Sequence, residues 1–200
     1  EDGITVVNST FTGNEGNSII GTYSDGADAL VLTYVTVASN ALDAGQVTSA
    51  VNTFGEGGLT TFGTVIVNTV AGPSCNVAST TSSYSYSGDD SCDFTGTGDT
   101  QFGGNPGLEP LAANGGPTQT MAIGEDGDLF DAIPTSACDP GLVTVDQRGE
   151  PRPGTLTDAC DIGAFEIQLE EPIVPVDPVD PVDPVDPGTG PITARPGFAG

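Results

Sequence analysis

The sequence predicts an all-β chain wound as a parallel β-helix, with a loop-rich, disulfide-pinned C-terminal end and an extended proline-rich tail. Three observations carry that prediction. A loose internal repeat of solenoid length runs through the first seventy residues, β-branched residues alternate over short runs that stop at Asn or Gly, and no run carries the i, i+3, i+4 apolar face of a helix. A β-sandwich also has short strands and Gly-rich turns, but the repeat favours stacked coils, in which one repeat cannot bury its apolar face alone.

ITVVNSTFTGN (Ile4–Asn14) reappears as LVLTYVTVASN (Leu30–Asn40), so that Ile4 falls on Leu30, Val6 on Leu32, Thr10 on Thr36 and Asn14 on Asn40, each 26 positions apart. TVIVNTV (Thr64–Val70) reads as a third copy 34 residues further on, with Asn68 opposite Tyr34 and the Glu56–Gly58 stretch and its flanks as an insertion. Residues 1–73 are therefore assigned to the coils. Asn14 and Asn40 read as left-handed turn residues rather than as a side-chain ladder.

Residues 74–104 break the pattern. STTSSYSYSGDDSCDFTGTGDTQFGG (Ser79–Gly104) has loop composition and reads as an excursion too polar for a core rung. Tyr84 and Tyr86 within it are expected to cover the solenoid wall rather than stack on sugar.

Composition narrows the chemistry. Three Lys+Arg against 28 Asp+Glu give a formal net charge of -25, which repels phosphate backbones and anionic lipid heads and argues against nucleic-acid binding and membrane docking. The basic residues are Arg148, Arg152 and Arg195; there is no Lys, His or Trp, so no Ser/His or Cys/His couple, imidazole–zinc site or lysine base can be assembled. Four cysteines in a Gly- and Ser/Thr-rich chain point to two disulfides and an exported protein. Four thiols allow three pairings. The local pairing, Cys75 with Cys92 and Cys138 with Cys160, closes loops of roughly 20 residues, worth about 3 kcal/mol each in the chain-entropy picture. No signal peptide or apolar run of membrane-spanning length is visible, and a start at Glu1 reads as a processed or excised piece.

Residues 105–166 carry three further motifs: NGGPTQT (Asn114–Thr120), DQRGEPRP (Asp146–Pro153) and CDIGAFE (Cys160–Glu166). In combination they make this region resemble the C-terminal part of the choice-of-anchor Q domain proteins of bacterial surfaces. The resemblance implies a right-handed parallel β-helix on an exported protein held at the cell surface; it implies no activity.

Arg148 and Arg152 sit in a compact turn beside Asp146, Glu150 and Asp158. An arginine base with acidic calcium ligands would suit a polysaccharide lyase. The expected role is structural, each guanidinium stapling carboxylates and loop carbonyls, because the visible repeats show no recurring acidic position to hold a cation. EDGD (Glu125–Asp128) with Asp131, and GDDSCD (Gly88–Asp93), lack the spacing of a calcium loop and read as solvated turns. No cofactor or metal is expected, calcium having no clear motif.

The chain ends in a Val-Asp-Pro triplet repeat, assigned with its flanks to residues 167–200. In polyproline II geometry it forms a rod about 50 Å long over Pro172–Pro187, at about 3.1 Å per residue, with Val179, Val182 and Val185 on an apolar edge. Phe165, Ile167 and Leu169, or Pro191–Ala194, are better placed to donate a strand to a neighbour. At the other end the rung pattern begins almost at once, at Ile4 and Val6, with no capping segment, so the first coil is expected to expose open backbone and an apolar cross-section. The functional expectation is an extracellular or cell-surface structural protein that associates with copies of itself through its uncapped end, its tail or both. A monomeric adhesin for surface glycans or cations is the rival, and a polysaccharide lyase or hydrolase comes third.

Overall fold

In the computed structural model, the described residues are 3–23, 29–42, 49–67, 72–138, 141 and 143–169. The Val-Asp-Pro repeat, with Val179, Val182 and Val185, and the Pro191–Ala194 segment lie outside them. Among the described residues the fold is all-β, with one short 3-10 turn at Thr135–Ala137.

Successive stretches of chain pair in parallel, tier upon tier. The first tier is β1 (Ile4–Phe11), β2 (Glu15–Gly16) and β3 (Ser18–Thr22). The second is β4 (Leu30–Ala38), β5 (Ala41–Leu42) and β6 (Ser49–Thr53). The third is β7 (Gly58–Phe62), β8 (Val65–Val67) and β9 (Cys75–Asn76). β10 (Ser79–Ser83) and β11 (Tyr86–Ser87) form a fourth, followed by β12 (Thr100–Gln101). Strand β1 lies on β4 with Ile4 opposite Leu30 and Thr10 opposite Thr36, the register of the 26-residue repeat. β2 lies on β5, and β3 on β6.

The third tier departs from the sequence alignment. Leu59 lies opposite Leu30 and Val65 opposite Thr36, a step of 29 at both, three longer than the first step of 26 and shorter than the step of 34 that places Asn68 on Tyr34. Asn68 itself is outside the described residues. Thr60 and Thr61 stand where the second tier has Val31 and Leu32, so apolar identity is lost although backbone pairing is kept. Within residues 74–104, read from the sequence as a loop excursion, short strands pair in parallel around a strand-free stretch at 88–99. Ser79–Ser83 pairs residue for residue with Gly58–Phe62, and Tyr86–Ser87 with Val65–Ile66. Hydroxyls satisfy part of this rung: the Ser85 hydroxyl bonds Thr61 Oγ1 at 2.9 Å and the Ser83 carbonyl at 3.1 Å, and the Ser82 hydroxyl donates to Asp99 at 2.6 Å, whereas the buried Thr80 Oγ1 has no partner among the described residues.

One backbone feature recurs at matched positions. Asn8, Tyr34, Gly63, Tyr84 and Gly98 all have positive φ, between 45° and 71°, and the register stacks them in one column. A single left-handed residue costs a non-glycine roughly 1–2 kcal/mol. Here it reverses the in–out alternation at mid-strand. Leu30 and Leu32 before it, and Val35 and Val37 after it, share the inner core, whereas Tyr34 belongs to a second, outer core.

A second column corrects the reading of Asn14 and Asn40. The left-handed residues are their predecessors, Gly13 (φ 66°) and Ser39 (φ 55°), and the two carboxamides form the ladder. Asn40 Oδ1 accepts from the backbone N–H and the Nδ2 of Asn14, both at 3.0 Å, while Asn40 Nδ2 donates to the Phe11 and Ala38 carbonyls. Asn40 is buried and satisfied on both sides.

The inner core contains Leu30, Leu32, Val37, Leu59, Ile66 and Phe94. The Cys75–Cys92 disulfide is part of it, with Cα atoms 4.8 Å apart. The outer core gathers Tyr34, Val65 and Tyr86 from the seven-stranded sheet with Leu129, Ile133, Ile162 and Phe165 from the C-terminal region. That region consists of an antiparallel hairpin, β13 (Leu108–Ala112) and β14 (Thr120–Ile123), and an antiparallel pair, β15 (Ile133–Pro134) and β16 (Ala159–Cys160), beside the Cys138–Cys160 disulfide. The central sheet is thus buried on both faces, which is why β4 reads as a near-continuous apolar run. Tyr86 is a core residue, and Tyr84 packs edge-on against Phe62 at 5.7 Å. Among the described residues no helix is long and apolar enough to cross a membrane.

Candidate functional site

The turn at Asp146–Gly149 is closed by its own backbone, Gly149 N–H donating to the Asp146 carbonyl and Asp146 N–H to that of Glu150. Asp146 Oδ1 accepts from the backbone N–H groups of Arg148 and Glu150, while Oδ2 accepts from Arg148 Nε at 2.8 Å and from Glu166 N–H at 3.0 Å. Arg148 then donates to the Asn114 and Glu166 carbonyls, with its guanidinium 3.7 Å from the Phe165 ring centroid.

Arg152 is deeper. Its Nη1 meets Glu166 Oε2 at 2.6 Å and the Asp161 carbonyl at 3.2 Å, its Nη2 meets the Gly163 carbonyl at 2.6 Å, and its guanidinium lies 3.9 Å over the Tyr34 ring. Glu166 also accepts from Gly154 and Asp161 N–H, and Asp161 accepts from Asp131 and Ile167 N–H. The side chains of Arg148 and Arg152 are 9% and 0% exposed. Guanidinium faces are thus spent on aromatic rings and their edges on carboxylates and carbonyls.

Three carboxylates, Asp146, Asp161 and Glu166, surround two guanidinium groups. Fully ionised, the cluster would bury an uncompensated negative charge. Burial pushes Glu166 up to about 8 against the pull of Arg152, and Asp161 up to about 6 against its backbone donors; burial also lowers Arg152. One bound proton makes the cluster neutral.

Of the residues singled out in the sequence, Asp146, Arg148 and Arg152 converge. Asp158 does not join them: its carbonyl accepts from the Thr135 hydroxyl, and its charge faces Asp131, whose carboxyl is raised by burial and by that neighbour. Glu150 contributes only backbone groups, its N–H to the Asp146 carboxylate and its carbonyl to Asp146 N–H. Their places are taken by Asp161 and Glu166 of CDIGAFE, a motif that carried the resemblance but named no partner for the arginines. A carboxylate on each side of a run of small and apolar residues was the available signal.

Phe165, Ile167 and Leu169 are not a free strand. Phe165 lies in the outer core with Ile167 packed against it, Ile167 N–H donates to Asp161, and Leu169 N–H donates to the Thr155 carbonyl. The segment is consumed internally because the arginine cluster needs Glu166 between its apolar neighbours.

No family model, curated protein or solved structure matches this chain.

GDDSCD is a cap. The Asp89 carboxylate accepts from Ser74 N–H and hydroxyl and from Ser91 N–H; burial raises its pKa, but the Ser91 and Ser74 bonds outweigh it and hold Asp89 below the usual range. In EDGD, Asp128 Oδ2 accepts from Asn105 N–H, and Gly127 N–H donates to the carbonyl of Gly124 just before the motif. Among the described residues no three His, Cys, Asp or Glu side chains gather as a metal site would require.

Ile4 and Val6 lie on the outermost strand. Ile4 is 44% exposed and Val6 half-buried, whereas their register partners Leu30 and Leu32 are both 0% exposed.

Proposed function

We propose that this chain is a non-catalytic, exported protein with an architectural role: a right-handed parallel β-helix of a cell surface or extracellular structure, associating with copies of itself through its open first tier. Parallel tiers with matched left-handed bends support the β-helix. The two disulfides suit an oxidising compartment, and the likeness of residues 105–166 to choice-of-anchor Q domains suits a surface protein.

The observation that carries the reading is the contrast between Val6 and Leu32. The same inward position is half-open in the first tier and closed in the second, and β1, β2 and β3 each form the outer edge of their sheet. The arginine cluster supports the non-catalytic part, since each guanidinium is engaged by the chain's own groups. Tyr86, one of the two rings a glycan-binding excursion would offer, is buried.

Sedimentation velocity across the soluble concentration range tests the proposal. Mass that grows with concentration, and is lost in Val7→Asp, is the expected outcome. A monomer at every concentration would overturn it.

A further inference from the structure

The cluster around Arg152 and Glu166 is one positive charge short. Two guanidinium groups, on Arg148 and Arg152, face three buried carboxyls, on Asp146, Asp161 and Glu166. No other side chain among the described residues can supply the missing charge: the chain has no Lys or His, and its third arginine, Arg195, lies outside them. The other groups facing the cluster do not help. Asp131, backed by Asp158, approaches Asp161 from the segment between β14 and β15, and from the tiers Tyr34 faces Arg152. Within the chain, neutrality therefore requires a proton on one carboxyl.

The C-terminal region is fastened to the tiers by hydrogen bonds that land beside this cluster. Asn8 Nδ2 donates to the Val145 carbonyl and Thr10 Oγ1 to Gln147 Oε1, both at 2.7 Å, so the residues on either side of Asp146 are held by β1. Gly163 N–H donates to the Gly63 carbonyl and Ala164 N–H to Thr36 Oγ1, at positions between Asp161 and Glu166. The Tyr34 hydroxyl donates to the carbonyl of Cys138, which is joined by its disulfide to Cys160 next to Asp161. A shift of the cluster disturbs each of these fasteners.

The tiers have a core that does not depend on this attachment. The inner core runs from Val6 to Phe94, includes the Cys75–Cys92 disulfide and takes no residue from the C-terminal region. The outer core is the one shared between the sheet and that region. Separating the two exposes the outer core and leaves the inner one packed, the division expected of units that open independently.

We infer that the C-terminal region is a proton-held clasp, closed on the tiers while the buried cluster carries its one compensating proton and released from them, with the tiers intact, when that proton is lost. Burial keeps the proton in the closed form, with Glu166 at about 8 and Asp161 at about 6. In the open form both carboxyls return to the ordinary range, 4.5 for Glu166 and 3.8 for Asp161. Opening between about pH 6 and pH 8 thus releases one proton, and the open fraction grows about tenfold per pH unit. Above about pH 8 the closed form has lost the proton too, and the dependence levels off.

Amide hydrogen exchange of the full oxidised chain, followed from about pH 6 to pH 9 and corrected for the intrinsic pH dependence of exchange, reads the opening directly. Protection of Gly163 and Ala164 N–H is expected to fall about tenfold per pH unit up to about pH 8 and then level off. Val51 N–H, bonded to the Ser74 carbonyl within the tiers, is expected to keep its protection. Glu166→Gln, uncharged at every pH, should remove the slope at Gly163 and Ala164; should that variant fail to fold, the slope in the parent chain decides. Protection at Gly163 and Ala164 that does not change with pH overturns the clasp. Equal losses at Gly163 and Val51 overturn its independence, since the tiers would then be opening with it.

Discussion

The guanidinium of Arg152 lies 3.9 Å over the ring of Tyr34, whose own hydroxyl donates to the Cys138 carbonyl at 2.6 Å. Through this pair the C-terminal region is fastened to the second tier. Gly163 N–H, donating to the Gly63 carbonyl, and Ala164 N–H, donating to Thr36 Oγ1, complete the attachment.

Removing one partner of the clasp should cost more than removing both. Measured at about pH 9, where Glu166 is ionised in the folded parent, Arg152→Met leaves Glu166 buried without its cation and is expected to destabilise by about 3–5 kcal/mol in chemical denaturation. Arg152→Met combined with Glu166→Gln should recover part of that loss, because Gln can still accept from Gly154 N–H. A double variant weaker than Arg152→Met alone would contradict the charge accounting.

Stability should fall as pH rises from mildly acidic to mildly alkaline. Glu166 is ordinarily near 4.5 and stands at about 8 when folded, so the folded chain holds that proton more tightly than the unfolded one. The resulting stabilisation is complete below 4.5 and is lost as pH rises through 8; Asp161 acts the same way up to about 6. Asp89, held low, works oppositely and loses its contribution only in stronger acid. Thermal midpoints at fixed ionic strength should therefore be higher near pH 5 than near pH 8, and Glu166→Gln should flatten that difference.

Gly63→Ala should destabilise by about 2 kcal/mol or more. The position has φ 54°, and an added Cβ would lie 2.8 Å from the Tyr34 ring, so both backbone and packing oppose it. A denaturation midpoint unchanged from the parent would show that the bend column tolerates a side chain there.

The two members of the asparagine ladder should respond unequally. Asn40→Ala strips a buried carboxamide of four hydrogen bonds and leaves the Phe11 carbonyl short of a donor, an expected loss of about 1–3 kcal/mol. Asn14→Ala, at an exposed position, should cost less than half as much, measured the same way.

The second tier was legible because its apolar residues repeat those of the first in kind and order. Ile4, Val6 and Thr10 therefore announced their partners Leu30, Leu32 and Thr36. The fourth tier was not, because Ser79–Ser83 holds its place through backbone pairing, which sequence patterns do not display. The left-handed column was hidden for a related reason: it is filled by Asn, Tyr and Gly in turn, and only stacking reveals them as equivalents. Asp146, Arg148 and Arg152 were visible as a compact turn. Asp161 and Glu166 were not, because their part in the cluster depends on how the chain returns beside the turn.

The bends at Asn8, Tyr34, Gly63, Tyr84 and Gly98 fall one above another although the lengths of chain between them differ. Phase is therefore kept locally, at each kink, and not by counting residues around a circuit. Insertions and deletions in the connecting segments can accumulate without disturbing the wall, whereas a single residue gained or lost within β4 would turn Val35 and Val37 outward at once.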